Sequence, residues 1–180
     1  CAAGFLVQKE LEYLGKAVEA PKRPFVAILG GAKVDTKIGV IESLLDKVDK
    51  LLIGGGMTYT FYKAMGYEIG ESLFDADGFE KAKALIGNPK IVLPVDTLVA
   101  DKFDAGAKTQ AVAINAIPKG WLGVDIGPKS IELFQNEIRK AGTVLWNGPV
   151  GVFEIDAFAK GTQAIAETLA TCGAVSVIGG

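Results

Sequence analysis

Six short runs of largely apolar residues, each four or five long, set most of what this chain can fold into. They are Phe25–Leu29, Lys50–Ile53, Ile91–Val95, Trp121–Asp125, Thr143–Trp146 and Ala174–Ile178. None shows a strict apolar–polar alternation. Strands apolar on both faces belong to parallel sheets covered by helices on either side. Helical patterns fill the gaps between the runs. Val34, Ile38, Ile41, Leu45 and Val48 recur every three or four residues, an amphipathic stripe. Asp75 or Asp77 is placed to cap a helix carrying Phe79, Ala82, Leu85 and Ile86, stopped by Gly87. Pro128 suits the first turn of a helix with Ile131, Phe134 and Ile138, stopped by Gly142. Phe158, Ile165 and Leu169 mark a last helix.

The order is a leading helix, repeated β-α units and a final strand. It predicts an α/β fold: an open, mostly parallel, Rossmann-like sheet with helices on both faces, in three layers. The stretch 101–119 is more polar and holds Ala111–Ile114, a short extra strand on an excursion. The first helix carries Val7, Leu11, Leu14 and Val18 ahead of Pro21 and Pro24, and reads as a connector. Residues 1–20 are therefore assigned to a connecting helix and 21–180 to one domain. The chain opens at Cys1 without an initiator Met, and its last strand stops at Gly180 without a covering helix. It is expected to be a piece of a longer protein.

Composition narrows the chemistry. With 49% apolar and 22% charged residues the chain reads as soluble and globular. A net charge of −2 gives no electrostatic footprint for nucleic acid. No apolar run approaches the ~20 residues that span a bilayer. Two cysteines at opposite ends make no disulfide framework and favour a reducing compartment. Histidine is absent. That removes Ser-His-Asp and Cys-His sites and disfavours catalytic zinc. Phosphoryl transfer, which runs on positioning and positive charge, is untouched.

Five of the runs lead into glycine: Gly30-Gly31, Gly54-Gly55-Gly56, Gly127, Gly148 and Gly179-Gly180. In a parallel sheet such carboxyl ends share one edge, where open α/β folds bind ligands. No G-x-x-x-x-G-K-[ST] loop is present, and no G-x-G-x-x-G follows the first strand. Instead Gly30-Gly31-Ala32-Lys33 leads into a helix, with Lys33 and Lys37 at i and i+4. Cations there oppose the helix dipole and repel each other by a few tenths of a kcal/mol or more. A bound polyanion reverses both signs; two solvated lysines, one paired with Asp35 or Glu42, are the alternative. Trp146–Glu154 joins a strand end, a Gly-Pro turn and a carboxylate. Asn147 is suited to donate to a phosphate, and Glu154 to accept from ribose hydroxyls. Capping of the next helix by the same residues is the competing reading.

Gly30-Gly31-Ala32-Lys33-Val34, Gly54-Gly55-Gly56-Met57, Ser72-Leu73-Phe74, Leu93-Pro94-Val95-Asp96, Trp121-Leu122-Gly123 and the string Trp146–Glu154 resemble phosphoglycerate kinase, in that family's order and over the whole chain. The resemblance implies the C-terminal, nucleotide-binding half of a two-domain enzyme. That enzyme moves a phosphoryl group between 1,3-bisphosphoglycerate and ADP, giving ATP and 3-phosphoglycerate in glycolysis. It implies that Lys33 and Lys37 face the transferring group and the nucleotide phosphates. Asn147 lies by the phosphates, Pro149 beside the ribose and Glu154 on its hydroxyls. Gly55, Gly56, Leu73, Phe103, Gly123 and Val124 form or edge the adenine slot, and Gly180 belongs to a last phosphate turn. It further implies Mg²⁺ bound with ADP or ATP, a monomer and a cytoplasmic setting.

The chain departs from the family pattern in three ways. Thr36 stands where the family more often has an acid before the second lysine. The family's metal-holding aspartate lies past Gly180. The phosphoglycerate-binding domain is not in this sequence. Two other readings are an adenine-nucleotide-binding module without turnover, and an NAD-binding dehydrogenase domain, which the missing fingerprint disfavours.

Overall fold

The computed structural model describes residues 19–179. The connecting helix expected over 1–20 and the turn residue Gly180 lie essentially outside them. The elements run β1 (Phe25–Leu29), α1 (Val34–Leu45), β2 (Lys50–Ile53), α2 (Met57–Ala64), α3 (Phe79–Leu85), β3 (Ile91–Val92), β4 (Asp96–Ala100), β5 (Thr109–Ala113), β6 (Leu122–Ile126), α4 (Pro128–Lys140), β7 (Thr143–Asn147), a 3₁₀ turn (Asp156–Phe158), α5 (Lys160–Thr171) and β8 (Val175–Gly179).

Five strands form a parallel sheet in the order β3-β2-β1-β7-β8. Side chains of β1 alternate between its two faces, as a strand requires. Phe25, Ala27 and Leu29 join Val34, Ile41, Leu44 and Phe61 in one core. Val26 and Ile28 join Phe134, Ile138, Ile165 and Leu169 in the other. α1, α2 and α3 thus cover one face and α4 and α5 the other, the three layers expected from the doubly apolar runs. Among the described residues no helix is long and apolar enough to cross a membrane.

The run Trp121–Asp125 does not belong to the parallel sheet. It forms β6 in a separate antiparallel sheet, ordered β5-β4-β6. Its apolar character has another cause: β6 lies between two small cores. Trp121 packs with Tyr59, Tyr62 and Val99 in one, and Val124 with Ala100 and Phe158 in the other. Of the expected strand Ile91–Val95, only Ile91 and Val92 pair. Pro94 has no N–H to donate to the ladder, and the chain crosses to the second sheet at Asp96. The short strand expected at Ala111–Ile114 is β5, paired with β4. Gly127, read as part of the parallel edge, instead precedes α4, beside the Asp96 carboxylate.

Three helices are capped by carboxylates from distant parts of the chain. The Asp35 N–H in the first turn of α1 donates to Asp75 Oδ2 at 2.9 Å. The Lys129 and Ser130 N–H groups of α4 donate to the two oxygens of Asp96 at 3.0 and 2.8 Å. The Gly161 N–H of α5 donates to Asp125 Oδ2 at 2.8 Å. Each satisfies an orphan donor and complements the positive end of the helix. Asp75 or Asp77 was expected to cap the helix beginning at Phe79; that helix, α3, has no side-chain cap.

Candidate functional site

The turns after β1, β2 and β7 interlock at the carboxyl edge of the parallel sheet. Gly30 N–H donates to Asn147 O at 2.8 Å, Gly54 N–H to Leu29 O at 2.9 Å and Gly55 N–H to Val150 O at 3.1 Å. Met57 N–H, opening α2, donates back to Gly31 O at 2.9 Å. Room for these backbones exists only without side chains. A Cβ on Gly30 would sit 2.0 Å from Pro149 O.

Against these turns stands β6, and between them opens a cleft of about 170 Å³. Of the residues expected at the site, Gly55, Gly56, Leu73, Gly123, Val124, Pro149 and Glu154 line it. Its other walls come from Gly31, Ala32, Tyr59, Asp125 and the segment Val150–Val152. The Tyr59 ring lies under Gly123, where an added Cβ would come within 2.0 Å of Cζ. The Tyr59 hydroxyl is 2.8 Å from Thr97 Oγ1, and Thr97 donates to Asp125 O at 2.9 Å. Burial pushes the Tyr59 phenol up out of its ordinary range. Tyr59 is therefore a fixed neutral floor.

Lys37 and Asn147 sit beside the cleft and are brought together, with Lys37 Nζ donating to Asn147 Oδ1 at 2.9 Å. The Asn147 amide nitrogen faces Gly179. Lys33 is the exposed residue immediately before α1, with extended backbone. The bland pairing of either lysine with Asp35 or Glu42 is not found; Asp35 pairs with Lys81. Phe103, expected to form or edge the adenine slot, is not among the residues that line the cleft. It is 61% exposed, with its ring centroid 6.4 Å from that of Phe158.

Asp125 was not anticipated at the site. It is 2% exposed. Its oxygens accept the N–H groups of Ile126 and Gly161, both at 2.8 Å. Burial pushes its carboxyl up to about 7, against the pull of these two donors. In the unfolded chain the group releases its proton near 3.8. Between these values the folded protein holds the extra proton. The stability it contributes is complete below about pH 4 and is lost as pH rises through 7. Urea unfolding from pH 4 to 8 is expected to show a decline of roughly 1–3 kcal/mol that Asp125→Asn lacks. Identical slopes for both proteins would remove Asp125 as its source.

Among the described residues no three Asp, Glu, His or Cys side chains are grouped to hold a metal.

Residues 1–180 match the family model for phosphoglycerate kinase. The chain is 58% identical over 186 residues to the chloroplastic phosphoglycerate kinase of Volvox carteri, an alignment covering 99% of this chain and 40% of that protein. It is 54% identical to the phosphoglycerate kinase of Trichodesmium erythraeum, covering 99% and 46%. Among solved structures, phosphoglycerate kinase from Coxiella burnetii superposes with a TM-score of 0.88 at 44% identity, over 97% of this chain and 46% of that one. The enzyme from Pyrococcus horikoshii gives 0.80 at 30% identity, over 98% and 46%. This chain therefore spans less than half the length of these relatives. The glycine-walled cleft beside a lysine-bearing helix lies in a chain whose every residue falls within one family model, and the chain belongs to the phosphoglycerate kinase family.

Proposed function

We propose that this chain is the nucleotide-binding, C-terminal half of a phosphoglycerate kinase, and that residues 21–180 hold ADP or ATP, with Mg²⁺ carried on the nucleotide's phosphates. The observation that carries this reading is the cleft walled by glycine backbone, with Glu154 on its lining and the Lys37–Asn147 pair beside it. Flat apolar walls at Gly55, Gly56, Leu73, Gly123 and Val124 suit a base. Pro149 and Glu154 suit a ribose. Lys33, Lys37, Asn147 and the turn continuing to Gly180 suit phosphates. Residues 1–20 connect this half to one that binds 3-phosphoglycerate or 1,3-bisphosphoglycerate. The whole transfers a phosphoryl group between acyl phosphate and ADP in glycolysis. It acts as a monomer in the cytoplasm, although one relative is chloroplastic.

In this reading Lys37 holds phosphates in the ground state, with its ammonium oriented by Asn147. Lys33 has its side chain in no ion pair among the described residues. It meets charge as it gathers on the transferring group.

Calorimetric titration with ADP tests the reading: saturable binding below millimolar ligand is expected. Glu154→Ala is expected to weaken ADP by about 1.5–3 kcal/mol, the worth of hydrogen bonds to a charged group, and to leave tripolyphosphate unaffected. No binding of ADP at millimolar concentration removes the site. Equal weakening of both ligands removes Glu154 from the ribose.

A further inference from the structure

A four-residue strap, Ser72-Leu73-Phe74-Asp75, touches several walls of the cleft. At its start, Ser72 Oγ accepts the Gly123 N–H of β6 at 2.8 Å. Leu73 comes next and lines the cleft, its Cδ1 only 2.7 Å from where a Cβ on Gly56 would stand. At its end, the Asp75 N–H donates to Thr60 Oγ1 of α2 at 3.0 Å, and Asp75 Oδ2 accepts the Asp35 N–H of α1 at 2.9 Å. The joint is tight, since a Cβ on Gly78 would lie 2.4 Å from that oxygen and 2.9 Å from Asp35 N.

These anchors differ in character from the residues between them. Asp75 and Ser72 are buried, whereas Leu73 is 59% and Phe74 48% exposed. An apolar side chain standing open at a cleft gains most when a flat apolar ligand covers it. α1, which begins immediately after Lys33, has no side-chain cap of its own. Its first turn is held from outside by Asp75. Lys37 lies in that turn and Lys33 immediately precedes it. Catalytic groups must be held within about 0.5 Å of the productive geometry.

We propose that Asp75 is a positioning residue for phosphoryl transfer: the strap fixes the lysine-bearing start of α1 to the wall that receives the base. This rests on the function proposed above. A base packed on Leu73 immobilises the strap, and the strap's far end holds the Asp35 N–H. Binding the base thus stiffens the helix start before the phosphoryl group arrives. Asp75 touches no reacting atom in this scheme; it acts through Lys33 and Lys37.

The test uses enzyme of the full length of its relatives together with the 180-residue chain. In the full-length enzyme Asp75→Ala is expected to lower kcat roughly 10- to 100-fold, the cost of a small misplacement. KM for ADP should move less than about threefold, because the lost interaction counts mainly in the transition state. Asp75→Asn keeps an acceptor for the Asp35 N–H and should restore most of the rate. Lys33→Ala should cost much less in the Asp75→Ala background than in wild type, because a misplaced lysine has little left to lose. In the 180-residue chain, amide exchange at Asp35 should quicken in Asp75→Ala and not in Asp75→Asn. Unchanged exchange at Asp35 overturns the strap whether or not nucleotide binds. Faster exchange with wild-type kcat, or full additivity with Lys33→Ala, overturns the positioning role. Failure of wild-type chain to bind ADP strikes the functional reading instead, and the exchange result still judges the strap.

Discussion

Lys33→Ala is expected to cut turnover of the full-length enzyme by roughly 10²–10³-fold while leaving ADP affinity nearly intact. The magnitude is that of removing one positioned donor from a developing charge. The asymmetry follows from where the two lysines stand. Lys37 lies one turn into α1, its ammonium 2.9 Å from Asn147 Oδ1 and its Cε against Gly31 on the cleft wall. In the proposed function its ammonium is already oriented toward the nucleotide phosphates. Lys37→Ala should therefore weaken ADP as well as slow the reaction. Lys33 precedes the helix, exposed, beyond the Gly30-Gly31 turn. In the proposed function its contact waits for the second substrate. An interaction made mainly in the transition state appears in kcat and barely in binding. Steady-state kinetics on wild type and both variants decide the matter. Near-normal turnover with poor ADP affinity in Lys33→Ala would exchange the roles of the two residues.

Much of this arrangement is legible from local pattern, and the exceptions share a physical cause. β1, β2 and β7 are apolar on both faces because helices cover both, and that feature places them in the parallel sheet; β8, at the sheet edge, is as apolar in sequence but leaves Val175 and Ile178 exposed. The same feature misplaces β6, because two small cores on either side of a strand produce the same composition as two helical layers. β4 escapes notice because it opens Asp96-Thr97, polar residues that are buried. Their polar atoms are consumed internally, Asp96 by the start of α4 and Thr97 by Tyr59 and the Asp125 carbonyl. α2 is missed for the opposite reason. Met57 through Tyr62 are all buried, so no polar stripe reveals a helical period. Local capping rules name Asp75 or Asp77 as a cap for α3, but Asp75 caps another helix, since its partner is 40 residues away. At the cleft the glycine turns and lysines are readable because their spacing is local. Tyr59 and Asp125 are not, because each is brought to the wall by long-range packing.

Replacing Gly55 by alanine should be among the most damaging single-methyl changes to this fold, and a second glycine supplies its control. Gly55 has φ +76°, a left-handed conformation. An alanine there carries roughly 1–2 kcal/mol of strain. Its Cβ would also lie 2.6 Å from both Gly31 N and Gly31 O and 3.0 Å from Pro149 O. All three are backbone atoms of the neighbouring turns, so no side chain can swing aside. Overpacking of this kind adds about 1–3 kcal/mol. The total is roughly 2–5 kcal/mol, a large part of the stability of an ordinary domain. For a chain of this size it predicts a Tm lower by about 4–20 °C. Gly66 separates the two contributions. Its φ is +89°, yet a Cβ there meets nothing within 4 Å. Gly66→Ala should therefore show the strain alone, and ADP binding should survive it. Gly55→Ala should lose more stability and also weaken ADP, because relieving the collision moves Gly31 and Pro149, both on the cleft wall. Urea unfolding and ADP titration of the two variants give the comparison. Equal losses in both would mean that the three turns yield to a methyl group. The close approach of their backbones would then not be what shapes the cleft.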